Sequence, residues 1–193
     1  MQPSNIQLAS ALARGRPRLQ MSDRRFAPEG IEFCPRRRDH AAGLLALFSA
    51  PHFLESASTR GPWSDEGEFN AWLDGIVALR RFEAVALSNG RPVGFSGLYV
   101  HSDFRSHCGS VMLGVAEDMQ GRGIGSTLMA LLLATAKTRA GLSKVQLTVF
   151  TDNAAAIRLY RSFGFQFEGL HQRFSRRGDG YVDAYSMAVI VRD

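Results

Sequence analysis

No apolar run in this chain of 193 residues approaches the roughly 20 residues that would cross a bilayer as a helix, and the N-terminal stretch lacks the apolar core of a secretory leader. A soluble protein with no membrane partner is therefore expected. Cysteine is scarce too: Cys34 and Cys108 stand far apart, with no Cys-x-x-Cys or Cys/His spacing, which excludes a zinc site and a disulfide framework and suits a reducing cytoplasm. His40, His52, His101 and His171 also lack ligand spacing, so they read as solvated or structural and no metal is expected. Gly-Lys-Ser/Thr is missing, which excludes a P-loop; the glycines at 121, 123 and 125 alternate and position 128 is Leu, which is not the Rossmann pattern. No internal repeat is visible.

What the chain does have is the composition of one ordinary globular domain, 45% hydrophobic and 21% charged. Its formal charge of +5 is misleading, because residues 1–27 hold Arg14, Arg16, Arg18, Arg24 and Arg25 against Asp23 alone and so supply +4 of it. The remaining 28–193 is nearly balanced, which argues against a basic nucleic-acid face on the domain. The 1–27 stretch reads as a solvated tail, with an arm for RNA, an acidic partner or a membrane as the alternative, and Met21 could itself be a start.

Along 28–193 the pattern alternates strands and helices. Ile31–Cys34 reads as a strand; Asp39 as the cap of a helix with Ala42, Leu45, Leu47 and Phe48 on its apolar stripe, stopped by Pro51. A second helix is expected over Glu66–Leu79, burying Phe69, Trp72, Leu73 and Ile76. Ala84–Leu87 and Pro92–Val100 form a hairpin through Asn89-Gly90, and Cys108–Val115 is a further strand. A long helix through Leu128, Leu131, Leu132 and Thr135 closes at Gly141. Val145–Phe150 is a strand, Asn153–Ser162 a helix ended by Gly164, and Phe165–Phe167 and Tyr181–Val191 the last strands, separated by a loop at Ser175–Gly180. This order predicts an α/β (α+β) domain.

Between the strand at Cys108–Val115 and the long helix lies Gln120-Gly121-Arg122-Gly123-Ile124-Gly125. Glycine at two close positions lets a phosphate reach backbone N–H groups, and a helix N-terminus adds the positive end of its dipole. Arg122 adds a full charge. Alone, the turn licenses a pyrophosphate site or a merely structural turn.

Taken with its flanks, Val111 to Gly125, the turn resembles the Gln/Arg-x-x-Gly-x-Gly/Ala motif of the GNAT superfamily of N-acetyltransferases. A second block, Leu147 to Phe165, is similar to that family's strand, its Asn-x-x-Ala-x-x-x-Tyr helix and its Gly-Phe ending, and follows at the expected distance. The resemblance covers about Ile31 to the C-terminus. It implies a mixed, mostly antiparallel sheet of six to seven strands flanked by about four helices and splayed between the fourth and fifth strands. It also implies acetyl-CoA as co-substrate, its pantetheine arm bonded to the backbone of Val115 and Glu117, and its pyrophosphate on the turn and helix start. The residues so implicated are Val115, Ala116, Glu117, Gln120, Gly121, Arg122, Gly123, Ile124, Gly125, Ser126, Thr127 and Leu128, with Asn153 and Tyr160 behind them.

Acetyl transfer needs a neutral amine, a polarised thioester carbonyl and a proton for the leaving thiolate. By resemblance the attack is direct, with no acetyl-enzyme, and Tyr160 is the general acid; seven residues after Asn153, it shares that residue's helix face. Many relatives carry a glutamate early in the strand before the turn, but here Gly109 stands about there, leaving Glu117 through a water, or His107, as candidate bases. Trp63, Phe69 and Trp72 fall where the family covers its acceptor pocket, and read either as core or as an apolar lining. Arg105-Ser106-His107 and Tyr181 to Tyr185 resemble, more loosely, the branch acting on free amino acids, near the phosphinothricin type. The acceptor is expected to be a small-molecule amine. A protein N-terminal or ribosomal-protein acetyltransferase, and a non-catalytic acyl-CoA-binding module, stay open as alternatives. A homodimer through the final strands would be usual for the family.

Overall fold

The computed structural model describes residues 28–56, 63–76, 78 and 80–191. The basic tail, 1–27, lies outside them, as do Val77 and Leu79 of the predicted second helix and the final two residues.

Seven strands, β1 (Ile31–Pro35), β2 (Arg80–Ser88), β3 (Arg91–Val100), β4 (Cys108–Val115), β5 (Lys144–Phe150), β6 (Gln166–Arg177) and β7 (Gly180–Ile190), form one sheet in the order β1-β2-β3-β4-β5-β7-β6. Every neighbouring pair is antiparallel except β4 with β5. The mixed, mostly antiparallel sheet expected from the resemblance is therefore present, with seven strands. Asn89 and Gly90 turn the β2–β3 hairpin with φ of 49° and 77°, the positive values that this dipeptide tolerates.

The described residues contain five helices rather than about four: α1 (Ala41–Ser49), α2 (Pro51–Ser56), α3 (Glu66–Asp74), α4 (Ile124–Thr135) and α5 (Ala154–Ser162). Helix α1 does stop just before Pro51, as expected, and the extra helix begins at that same proline. A proline has no N–H to offer, which suits a first helical position as well as a stop, and Pro51 opens α2. Asp39 does not cap α1; it lies in a short 3₁₀ turn, Arg38–His40, and the buried residues of α1 are Ala41, Leu44, Leu47 and Phe48, with Ala42 exposed. Helix α3 is capped by Asp65, whose carboxylate accepts from Glu68 N–H at 2.8 Å, and it ends at Gly75, short of the predicted span. Strand β2 begins four residues before the predicted run. The expected Ser175–Gly180 loop is instead mostly β6, which continues to Arg177 and turns through Gly178 and Asp179. Nearly every β6 residue is exposed, so the strand carries no apolar alternation by which a sequence could reveal it.

Two layers of helix cover the sheet. On one face α1, α2 and α3 bury Leu44, Phe48, Phe53, Phe69 and Leu73 against Val85 and Phe95. On the other, α4 and α5 pack Met129, Leu132 and Tyr160 on Leu98, Val145 and Leu147, and Leu128 beside Ala86. Alternation along β4 divides its side chains between the layers. A Cβ added at Gly109 would lie 2.7 Å from Leu142 Cδ1 and 2.9 Å from Leu98 Cδ1, in the α4 layer, whereas one at Gly114 would meet Phe53 of α2. Ser110, in register with Tyr99, and Met112 thus share the α1–α3 face with Gly114.

His40 is buried below α1. Its Nδ1 accepts Arg37 N–H at 3.2 Å, and its Nε2 lies 4.0 Å from Cys34 Sγ. Burial holds the imidazole below its ordinary value of 6.5 against the pull of Asp39, and protonating Nδ1 would set two donors against each other. The unfolded chain then binds more protons below pH 6.5, so stability is present above that value and is lost as pH falls through the lowered folded value. Chemical denaturation measured between neutral and acid pH should show this slope, and His40→Gln should reduce it.

Candidate active site

Strands β4 and β5 are in register at three pairs only, Cys108↔Lys144, Gly109↔Val145 and Ser110↔Gln146. Beyond Ser110 they part, β4 staying with β3 to Val115 and β5 with β7 to Phe150. The edge of β4 that faces β5 from Val111 to Val115 therefore keeps backbone donors and acceptors with no ladder partner, a place for an extended, amide-bearing ligand. A cavity of about 870 Å³ occupies the wedge, within the range of small-molecule sites. Its lining comes from both faces of the sheet: Leu147, Val149 and Tyr160 from the α4–α5 side, and Phe53, Trp72, Ser110 and Met112 from the other.

One mouth is the glycine turn. Gly123, the residue before α4, has φ of 82°, a left-handed conformation that only glycine adopts without strain. The first bond closing α4 runs from Thr127 N–H to Gly123 C=O at 3.0 Å, so the amides of Ile124, Gly125 and Ser126 precede the helical ladder and carry the positive end of its dipole. A Cβ at Gly125 would touch Leu159 at 3.4 Å and Val115 at 3.6 Å, so glycine keeps this wall low. The donor set and the bare wall fit a pyrophosphate.

Tyr160 and Asn153 reach the same cavity from α5. The Tyr160 ring packs on Phe165 at 5.9 Å, and burial alone pushes its hydroxyl up to about 12, so it stays protonated at any physiological pH. Asn153 caps α5, accepting Ala156 N–H at 3.0 Å, while its amide nitrogen donates to Ser56 O at 3.2 Å. Asn153 thus caps α5 and lines the cavity at once.

The other mouth is polar and aromatic. Tyr99 O–H donates to Glu83 Oε1 at 3.0 Å, and Glu83 in turn accepts from Arg36 Nε at 2.7 Å. Burial first, and the Glu83 charge second, hold the Tyr99 phenol far above its usual value, so it is a fixed neutral group. His101 Nε2 lies 2.8 Å from Ser110 Oγ, and Gln146 spans Ser110 and Arg105. Burial, with Arg105 adding to it, holds the His101 imidazole below its ordinary value.

Of the residues singled out in the sequence, Val115, Gln120, Gly121, Gly123, Ile124, Gly125, Ser126, Asn153 and Tyr160 line the cavity together. Ala116, Glu117, Arg122, Thr127 and Leu128 do not: Glu117 and Arg122 are exposed, and Thr127 and Leu128 are buried. His107 is exposed at the start of β4, where its carbonyl accepts from Ser143 and Lys144 N–H, away from the lining. Trp72 lines the cavity, whereas Trp63 and Phe69 belong to the core. Sequence reading missed Ser110, Gln146, Tyr99 and the cavity role of His101. Strict alternation from Gly114 back along β4 would have marked Ser110 rather than Gly109.

Helix α2 straps the wedge. His52 Nε2 accepts from the Gln120 amide at 2.6 Å, Ser56 O from Asn153, and Glu55 O from Arg177 Nη2 at 2.6 Å. Phe53 lies over Gly114, at whose position a Cβ would approach its ring to 2.0 Å.

The splayed sheet, the glycine turn and the Asn–Tyr helix together define an acyl-CoA type of site. The sequence profile of the acetyltransferase (GNAT) family matches residues 37–165, and the chain belongs to that family. It is similar to the L-amino acid N-acetyltransferase AaaT of Escherichia coli, 37% identical over 84 residues, which are 44% of this chain and 52% of that one. It is similar also to the N-alpha-acetyltransferase RimI of Mycobacterium tuberculosis, 49% identical over 75 residues, 39% of this chain and 44% of that one. The chain spans about half the length of both relatives. A GNAT-family acetyltransferase structure from Streptococcus pneumoniae superposes with a TM-score of 0.71 at 26% identity, covering 83% of this chain and 99% of that one.

Gly114→Ala should destabilise the protein by about 1–3 kcal/mol, the usual cost of overpacking. Denaturation of a Phe53→Leu background should show that cost much reduced, since the two positions are coupled through contact.

Proposed function

We propose that the protein is an acetyl-CoA-dependent N-acetyltransferase that acetylates the primary amine of a small molecule, a free amino acid with an apolar side chain fitting best. The observation that carries this is the cavity through the splayed β4–β5 wedge, with open helix amides at one mouth and Tyr160 in its wall. Residues 28–193 form the one domain, with 1–27 as its tail.

In this reading the amides of Ile124 to Ser126 hold the pyrophosphate, and the unpaired edge of β4 up to Val115 binds the pantetheine amides. Asn153 orients the arm from the side. Tyr160, a protonated phenol at physiological pH, gives its proton to the departing sulfur. The reaction is direct attack with no acetyl-enzyme; Cys108 is buried and does not line the cavity.

The acceptor mouth favours an amino acid over a polycation. Among the described residues lining the cavity there is no carboxylate to hold a polyamine, while Gln146, itself held by Arg105, brings an amide donor for an acceptor carboxylate, and Trp72, Ile76 and Met112 supply apolar wall. A peptide N-terminus needs an open groove, and the α2 strap disfavours one. No helix of the described residues is long and apolar enough to cross a membrane; a cytoplasmic location, no nucleic-acid partner and a homodimer remain parts of the proposal.

Two measurements test it. Acetyl-CoA at about 100 times its Kd should stabilise the fold by about 2.7 kcal/mol, raising Tm by roughly 5–10 °C; no shift at saturation would sink the cofactor assignment. Thiol release should then be screened over free amino acids, polyamines and N-terminal peptides. Turnover is expected with apolar amino acids, and turnover with peptides alone would move the acceptor to the protein class. Tyr160→Phe should lower kcat about 100-fold while keeping the acetyl-CoA Tm shift; unchanged kcat would place the acid elsewhere, and no turnover with any amine would favour a binding module.

A further inference from the structure

The acetyltransferase reading leaves the amine's proton without an acceptor. Neither Glu117 nor His107 reaches the cavity, and no described lining residue is a carboxylate. Among the described residues the titratable lining groups are His52, Tyr99, His101 and Tyr160. His52 Nε2 already accepts from Gln120 at the glycine-turn end, Tyr99 has its proton committed to Glu83, and Tyr160 is a protonated acid. His101 stands apart, at the point where β4 and β5 begin to separate.

Its protonation pattern follows from a chain of bonds that runs one way. A guanidinium can only donate, so Arg105 Nη2 at 2.9 Å fixes the Gln146 amide with its oxygen toward Arg105. The Gln146 NH₂ is thereby turned to Ser110 Oγ, a long 3.5 Å contact that uses a lone pair of the hydroxyl. Ser110 keeps its single proton to donate, and His101 Nε2 lies 2.8 Å away. A Ser110 hydroxyl that donates this proton to Nε2 pairs with the Nδ1–H tautomer of His101, whose Nε2 lone pair then aims at a hydroxyl that lines the cavity, and this is the arrangement a relay requires.

We propose that Ser110 and His101 form the proton-accepting relay for the acceptor amine, with Ser110 touching the amine and His101 storing the proton. This rests on the acetyltransferase reading above. The ammonium of the acceptor gives one N–H proton to Ser110 Oγ as the Ser110 hydroxyl proton passes to Nε2 of His101, leaving a neutral amine and an imidazolium. The amine nitrogen bonds to the thioester carbonyl carbon and the carbon–sulfur bond breaks. The amine's second proton replaces the one that Tyr160 gives to the sulfur, and His101 returns the stored proton to solvent. The products are the amide, the free thiol and one proton. The groups around His101 are Arg105 from the turn after β3, Tyr99 of β3, Ser110 of β4 and, through Ser110, Gln146 of β5; burial first, and the positive charge of Arg105 second, hold its imidazole below the ordinary value.

The test uses the full chain, acetyl-CoA and two amines: L-phenylalanine, an ammonium near neutral pH, and hydroxylamine, which is already unprotonated there and needs no base. His101→Gln and Ser110→Ala should each lower kcat/KM for L-phenylalanine at least about 100-fold and leave thiol release with hydroxylamine within about twofold. The wild-type kcat/KM for L-phenylalanine should rise through a limb centred below 6.5, absent in His101→Gln. His171→Ala, on the distant β6, should change nothing. Equal losses with both amines would show a structural role and overturn the relay, as would no loss with either. Independently, ¹⁵N-histidine NMR should show His101 as the Nδ1–H tautomer, its Nε2 signal shifting in Ser110→Ala; an Nε2–H tautomer would overturn the proposal. If no amino acid turns over, the acceptor reading fails, and the tautomer still decides the relay.

Discussion

The early end of pairing between β4 and β5 is the constraint from which the rest of the site follows. A parallel pair that stops at Ser110 and Gln146 leaves β4 from Val111 to Val115 with an open edge inside the domain, where unpaired N–H and C=O groups are costly unless a ligand or water meets them. The fold tolerates this because each strand keeps one full-length neighbour, β3 for β4 and β7 for β5. The resulting wedge opens to both faces of the sheet. One chemical partner can therefore enter from the glycine turn and the other from the side of α1–α3, so that the two meet without sharing an entrance.

The strap formed by α2 couples the two entrances. Its backbone and side chains are held by Gln120, Asn153 and Arg177, and the first two of these also line the cavity. Arg177 is itself fixed by an ion pair with Asp152 and by lying over the Phe150 ring at 4.9 Å. The β6–β7 hairpin, remote in sequence from α2, thus helps position Phe53 over Gly114.

The parts of the fold legible in the sequence were those with strong local chemistry. Asn89-Gly90 announced a hairpin because both residues tolerate positive φ, and Gly141, with φ of 66°, closes the α4 region as expected. Pro51 was ambiguous for a physical reason: lacking an N–H, it fits the start of one helix as readily as the end of another. The apolar stripe of α1 was displaced because Ala41 and Ala42 offer no contrast, leaving its frame to be set by Leu44, Leu47 and Phe48 once packed. Strand β6 was largely invisible because its residues face solvent on both sides.

By itself the sequence determined the glycine-turn end of the cavity. The glycine turn, the Asn153 cap and Tyr160 two helical turns further on are local patterns, each governed by backbone geometry within a few residues. Tertiary structure alone decided the opposite end, because Tyr99, His101, Ser110, Gln146 and Trp72 come from four separate segments and meet at the cavity only through sheet register and helix packing. The same register turned Gly109 into the α4 layer against Leu98 and Leu142 and turned Ser110 toward His101. A shift of one residue along a strand reverses the face, and no local signal in a stretch of glycine and serine specifies which face is which.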